Sequence, residues 1–189
     1  MTGDVSAPAL SYIPPPRYGR AAVGDGIGPT EPDPMTDLSD LLRPEAVVTD
    51  LGAANKKALF QALAGLVAPQ TGLDARVVAD RVADRERLGS TGFGHGVGIP
   101  HARIAELTHI TGAFARLTQP IEYQAVDELP VDLVFLLLSP VNAGAEHLKA
   151  LARISRRLRD ARFLAKLRGA GSRDALYALF TTDEARDAA

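Results

Sequence analysis

The stretch Gly89 to Arg103 reads GSTGFGHGVGIPHAR, with glycine at every second position from Gly92 through Gly94 and Gly96 to Gly98 and a histidine, His101, directly after a proline. A neutral imidazole is a competent nucleophile near pH 7, because its pKa lies close to neutrality and one ring nitrogen keeps a lone pair. Pro100 confines Ile99 to extended backbone, so the chain leaves the glycine stretch as a strand with His101 at or near its start. Alternating glycines let backbone approach a ligand closely and turn several N–H groups toward an anion. Together these features suit a phosphoryl group.

The glycines match neither of the nucleotide motifs they superficially suggest. The spacing G-x-G-x-x-G would need a glycine where Val97, Ile99 or His101 stands, and no Gly-Lys-Ser/Thr occurs anywhere in the chain. Phosphoryl transfer mainly requires positioning, with positive or N–H groups around the equatorial oxygens. His147, near the start of a helix expected after Pro140, can be one such group, and Arg85, near the end of the helix before the glycines, can supply a permanent cation. Ser90 and Thr91 suit either hydrogen bonds to phosphate or local turn and cap roles. His95 either lines the site or is a tolerated loop residue; His109 has no motif around it and reads as structural. A metal site built from His95, His101 and His147 is the rival chemistry, but the chain lacks the H-E-x-x-H spacing of a zincin. It also has no cysteine, which removes disulfides, thiolate chemistry, cysteine-based zinc sites and iron–sulfur clusters.

The elements that must carry these residues can be read from periodicity. Leu38, Leu41 and Leu42 suggest a short opening helix closed before Pro44, and Ala46 to Thr49 a strand. Helical spacing of Ala58, Leu59, Ala62, Leu63, Leu66 and Val67 predicts a helix from about Ala54 to Ala68, ending before Pro69. Asp74 caps the next helix, with Val77, Val78, Val82 and Leu88 as its buried stripe. Between Gly92 and Leu138 the period becomes that of strands, broken at Gln119-Pro120 and at Glu128 to Pro130. Three helices follow, at about Ala145 to Arg159, Ala161 to Arg168 and Ser172 to Thr181. The expected fold is a mixed α/β architecture, a sheet covered by helices.

The chain has 189 residues, 46% hydrophobic and 23% charged, the balance of a soluble globular protein with one main domain. Its first 36 residues hold seven of the 13 prolines and five of the 17 glycines, so 1–36 reads as a disordered extension and 37–189 as the domain. The longest apolar run, Leu133 to Leu138, is far short of the roughly 20 residues that span a bilayer, and the N-terminus lacks a signal pattern; the expected location is cytoplasmic. The net charge of −2 conceals a basic segment, residues 149–173, with nine basic residues against Asp160 alone. Such a segment invites a nucleic-acid reading, but 37–189 carries 19 charges of each sign and no recognised binding module. A solvated helical face that docks an acidic protein fits better.

Three segments carry a family resemblance: RERLGSTGFGHGVGIPHAR from Arg85 to Arg103, EHLKAL from Glu146 to Leu151, and PIEYQAVDELPVDLVFLLLSP from Pro120 to Pro140. Over about residues 38 to 182 the chain resembles the type-2 EIIA domain of the bacterial phosphoenolpyruvate-dependent phosphotransferase system, and more specifically its nitrogen-regulatory branch. The resemblance implies a mixed five-stranded sheet with helices on both sides. It also implies that His101 accepts a phosphoryl group from an HPr-type phosphocarrier, that His147 sits beside it, and that Arg85 is an active-site neighbour, with backbone N–H groups of Gly92, Gly94, Gly96 and Gly98 holding oxygens. No metal, nucleotide or organic cofactor is needed, since the donor is already a phosphoramidate. Signalling through phosphorylation state is the implied role, acting on regulatory protein targets such as kinases or transporters; a sugar-specific EIIA of fructose or mannitol type, passing phosphate to a separate EIIB, is the alternative. The chain departs from the family pattern at His95, where Asn or Asp is usual, and at Ala102-Arg103, where Gly-Lys is usual.

Overall fold

The computed structural model describes residues 37–181, so the extension expected over 1–36 lies outside the described residues. Among the described residues there are five α-helices: α1 (Lys56–Thr71), α2 (Ala75–Arg87), α3 (Gly144–Arg157), α4 (Ala161–Gly169) and α5 (Arg173–Thr181). The strands are β1 (Val47–Leu51), β2 (Gly92–Gly94), β3 (Val97–Gly98), β4 (His101–Ile104), β5 (Thr111–Ile121) and β6 (Val131–Pro140). They form one mixed sheet in the order β1-β5-β6-β3-β2, with β4 also beside β6.

The apolar run of β6 explains the layering. Leu133, Phe135 and Leu137 pack with α3, α4 and α5 through Ile154, Phe163 and Phe180, while Val134, Leu136 and Leu138 pack with α1 and α2 through Leu63, Val67 and Val82. A strand covered on both faces must be apolar at every position, which is why this run shows no alternation. Phe180 is the hub of the second layer, with ring centroids 4.7 Å from Phe114, 5.4 Å from Phe163 and 5.8 Å from Phe135. Burying each such side chain contributes about 1.5–3 kcal/mol.

Helix ends follow local chemistry. The Asn55 side chain accepts from the Ala58 N–H and Asp74 from the Arg76 N–H, while Asp160 caps α4 and Ser172 accepts from Ala175 N–H at the start of α5. Three boundaries differ from the sequence reading. Leu38 to Leu42 form a single hydrogen-bonded turn, whose leucines are nevertheless buried, and a 3-10 turn over Pro44–Ala46 follows it. Helix α1 continues through Pro69 to Thr71, because a proline in the last turn forfeits only one intrahelical bond and Gly72, at φ 69°, supplies the left-handed stop. Strand β5 likewise continues through Gln119-Pro120; Pro120 falls between Arg116 and Ile121, where the register with β6 shifts and no ladder N–H is demanded of it.

The interruption that matters for function is at Pro100. Val97 and Gly98 lie opposite Leu133 and Val134, and His101 to Ile104 lie opposite Leu137 to Pro140, both parallel to β6. Strands β3 and β4 therefore occupy one lane of the sheet, broken by Ile99-Pro100, so the expected five-stranded sheet is counted here as six. His101 opens the second piece.

Candidate functional site

At this break the backbone fixes the state of His101. Its Nδ1 lies 2.9 Å from the carbonyl oxygen of Ile99, two residues back. A carbonyl accepts only, so Nδ1 carries the ring proton and the lone pair of the neutral ring is on Nε2. Arg85, from the last turn of α2, donates its Nε–H to that lone pair at 3.2 Å and a second guanidinium N–H to the carbonyl of Gly89 at 3.0 Å. Helix α2 packs against β4, which brings the arginine here.

His147, the fourth residue of α3, completes a pair: the two imidazole centroids are 5.6 Å apart, with ring planes inclined by 50°. Its Nδ1 is 2.7 Å from the hydroxyl of Ser139. Its own backbone N–H is spent on Ala143, so the side chain, not the helix terminus, is what α3 contributes. Both histidines and Arg85 line one open cavity, together with Arg81, Asp84 and Arg103. Leu88 and Leu148 stand at its rim, 85% and 62% exposed, an unusual degree of exposure for leucine.

Burial pushes the pKa of His101 below its ordinary value; the Ile99 hydrogen bond opposes this, and the charges of Arg85 and Arg103 reinforce it. The pKa of His147 is lowered too, first by burial and then by His101, Arg103 and Arg85. Both rings are therefore neutral at pH 7, one offering a lone pair beside a permanent cation.

The glycine stretch occupies a different place. Gly94, His95 and Gly96 make the tight turn joining β2 to β3, with φ 56° at His95 and 79° at Gly96, the left-handed pair that a two-residue hairpin requires. Histidine tolerates this region better than most side chains, as do Asn and Asp. The turn is held from outside: Asp127 accepts from the His95 N–H at 2.7 Å, and Arg168 donates to the His95 carbonyl at 2.8 Å while pairing with Asp132 at 2.7 Å. Gly92 lies so close to the chain at 125 that a Cβ there would be 2.5 Å from the Ala125 Cα. Among the described residues, none of Gly92, Gly94, Gly96 and Gly98 lines the cavity of the histidines. These four glycines build the β2–β3 hairpin; on either side of it the Ile99 carbonyl bonds His101 and the Gly89 carbonyl accepts from Arg85.

Ser90 is exposed and Thr91 buried, and both hydroxyls are engaged locally. The Ser90 hydroxyl donates to the Tyr123 carbonyl and accepts from the Gly92 N–H. Thr91 bonds through its N–H and hydroxyl to one carboxylate oxygen of Glu86, whose other oxygen pairs with Lys56 at 2.6 Å, and the buried Tyr123 hydroxyl lies 3.1 Å from Thr91 Oγ1. This network ties the end of α2 to β2 and so sets where Arg85 points. His95 has an exposed ring on the hairpin, so the three histidines of the metal reading are not brought together. His109 is exposed, 3.2 Å from the Thr108 hydroxyl.

Four of the nine basic residues of the segment 149–173 are used by the fold, while Lys149, Arg156, Arg162, Lys166 and Arg173 are exposed. Arg153 makes a bidentate pair with Asp40 and also donates to the Asp37 carbonyl, Arg157 lies buried over the ring of Phe163, Arg159 sits over Phe93, and Arg168 staples the hairpin. Sequence reasoning missed Ser139, the Ile99 carbonyl and Leu148, and it placed Val77 and Leu88 in the buried stripe of α2, where the structure buries Val78 and Val82 and leaves Val77 and Leu88 exposed. Pro100 was the one local sign of the carbonyl; the polar Ser139 ending an apolar run was the sign of the other.

The chain belongs to the EIIA 2 family of the phosphoenolpyruvate-dependent sugar phosphotransferase system, whose model matches residues 40–182, and is thus a phosphotransfer component. Within that class it is most informatively set beside nitrogen regulatory proteins. It is 47% identical to the nitrogen regulatory protein of Bradyrhizobium diazoefficiens over 142 residues, covering 75% of this chain and 93% of that one. It is 36% identical to the Escherichia coli nitrogen regulatory protein over 156 residues, 82% of this chain and 96% of that one. The crystal structure of IIA-Ntr from Neisseria meningitidis superposes with a TM-score of 0.72 at 35% identity, over 75% of this chain and 97% of that one. IIA mannitol from Escherichia coli shares the fold alone, at a TM-score of 0.63 and 17% identity, over 74% of this chain and 98% of that one. Among the described residues, no helix is long and apolar enough to cross a membrane.

Proposed function

We propose that this protein is a histidine phosphocarrier of the nitrogen-regulatory branch, and that Nε2 of His101 is the atom that accepts the phosphoryl group. The observation that carries the reading is the pair of hydrogen bonds on that ring: a proton tied to Ile99 on one side and a lone pair facing Arg85 on the other. The donor is the phosphohistidine of an HPr-type carrier. As the Nε2–P bond forms, the donor N–P bond breaks and its electron pair returns to the donor ring nitrogen. His101 keeps its Nδ1 proton and the donor ring, protonated on its far nitrogen, leaves neutral; no proton has to cross between them. Arg85 releases the lone pair and turns its N–H groups to the phosphoryl oxygens, where a fixed cation is worth most because charge collects there. His147 donates from the other side.

The rim leucines and Arg81, Arg85 and Arg103 form the surface on which the donor docks. Phosphorylation adds about −2 charge at the centre of that surface, which alters the affinity of any regulatory partner using it. On this reading residues 37–189 are the phosphocarrier domain and the reaction is cytoplasmic. The test is incubation with phosphoenolpyruvate, the general phosphotransferase enzyme and an HPr-type carrier, followed by measurement of acid-labile phosphate. Wild type takes up one equivalent and His101→Ala none; equal labelling of the two proteins refutes the assignment.

A further inference from the structure

On β6 the residues sharing a face with α3 are Leu133, Phe135 and Leu137, all fully buried, and the next in that alternation is Ser139, also 0% exposed. A hydroxyl at so apolar a position is costly unless it is hydrogen-bonded. Its only side-chain partner among the described residues is Nδ1 of His147, itself 4% exposed, at 2.7 Å. The bond can run in either direction, and the two directions leave opposite groups on the far side of the ring. If the imidazole donated, the hydroxyl proton would lack an acceptor, and Nε2 would turn a lone pair toward the cavity where phosphoryl oxygens, themselves acceptors, must sit. If the hydroxyl donates, its proton is used and Nε2 carries an N–H.

We propose that Ser139 is a positioning residue for phosphoryl transfer: its hydroxyl donates to His147 Nδ1, holding the ring in plane and in the Nε2–H tautomer, so that a neutral His147 donates to the phosphoryl group on His101. The proposal rests on His101 as the acceptor, but the geometry it asserts exists before any phosphate arrives. Ser139 and His147 are eight positions apart in the chain, so the strand and the helix after it form a unit that presents the donor already oriented. Preorganisation of this kind removes a reorganisation cost at the moment of transfer.

The test joins a spectroscopic signature to a rate. In ¹⁵N-histidine NMR of the unphosphorylated protein, His147 shows a protonated Nε2 and a hydrogen-bonded, unprotonated Nδ1. Ser139→Ala and Ser139→Val slow phosphoryl acceptance by about five- to tenfold, the worth of one neutral hydrogen bond, with the final stoichiometry unchanged. Ser139→Thr restores the rate. A protonated Nδ1 on His147 in wild type, or acceptance by both the Ala and Val variants at the wild-type rate, overturns the proposal. Labelling of His101→Ala would overturn the acceptor assignment instead, so the two failures are distinguishable.

Discussion

The two pieces of the lane beside β6 end in opposite kinds of chemistry. At the hairpin end both backbone groups of His95 are met by charged side chains: the N–H by Asp127, the carbonyl by Arg168, and that arginine in turn by Asp132. At the histidine end, Arg85 spends an N–H on a lone pair and another on a carbonyl, and among the described residues it forms no ion pair. A cation with a carboxylate partner serves the fold. One held beside a lone pair is available to a substrate, and only the second end can gain a charge-assisted bond when an anion arrives.

Substitutions at the histidine end change rate, and those at the hairpin end change stability. The largest effect is expected for Arg85→Ala, which lowers phosphoryl acceptance by about a hundredfold, the cost of losing one oriented donor to developing charge, and leaves the thermal midpoint within a few degrees of wild type. Stopped-flow or quench-flow transfer alongside calorimetry checks both halves; a collapse of the midpoint would place Arg85 with the structural arginines. Next is Gly92→Ala, whose new methyl meets the Ala125 backbone: it destabilises the protein by about 1–3 kcal/mol in denaturant unfolding, while the folded fraction accepts phosphoryl groups at the wild-type rate.

A smaller effect concerns pH. With their pKa values lowered by burial, His101 and His147 stay neutral below the ordinary midpoint of about 6.5, so phosphoryl acceptance persists into more acidic solution than a free imidazole would allow. Because the unfolded chain binds protons first as the pH falls, these two groups contribute stability that is complete above about 6.5 and is lost through their folded values. An NMR titration of the imidazoles reads the midpoints directly, and Arg85→Gln moves the His101 midpoint upward by removing a neighbouring positive charge. The smallest effect is His95→Asn. The ring is exposed and only the backbone of this residue is used, so stability stays within about 0.5 kcal/mol and acceptance is unaltered. A loss of acceptance here would draw the hairpin into the reactive end.

What the sequence displayed and what it hid follow from the range of the interactions. His101, His147 and Arg85 were legible because nucleophile, neighbour and cation are side-chain identities within recognisable local strings. The two-sided sheet was legible in the uninterrupted run of β6. The hairpin was hidden because alternating glycine announces an unusual backbone without saying what it packs against; Asp127, Asp132 and Arg168, which define the hairpin, lie 32 to 73 residues beyond His95. Pro69 and Pro120 were read as stops, although proline excludes only a bond that the last helical turn and a strand irregularity do not need. The basic segment was legible as charge but not in its division, because charge along the chain does not reveal which arginines turn inward, as Arg153 and Arg157 do, and which stay exposed, as Arg156 and Arg162 do.

The most direct test is where the phosphorus attaches. In the protein phosphorylated by its HPr-type donor and labelled with ¹⁵N-histidine, one imidazole is expected to show a nitrogen–phosphorus coupling at Nε2, assigned to His101, with the Nδ1 proton still present and hydrogen-bonded. Coupling at Nδ1 of His101, or at either nitrogen of His95 or His147, would contradict the account.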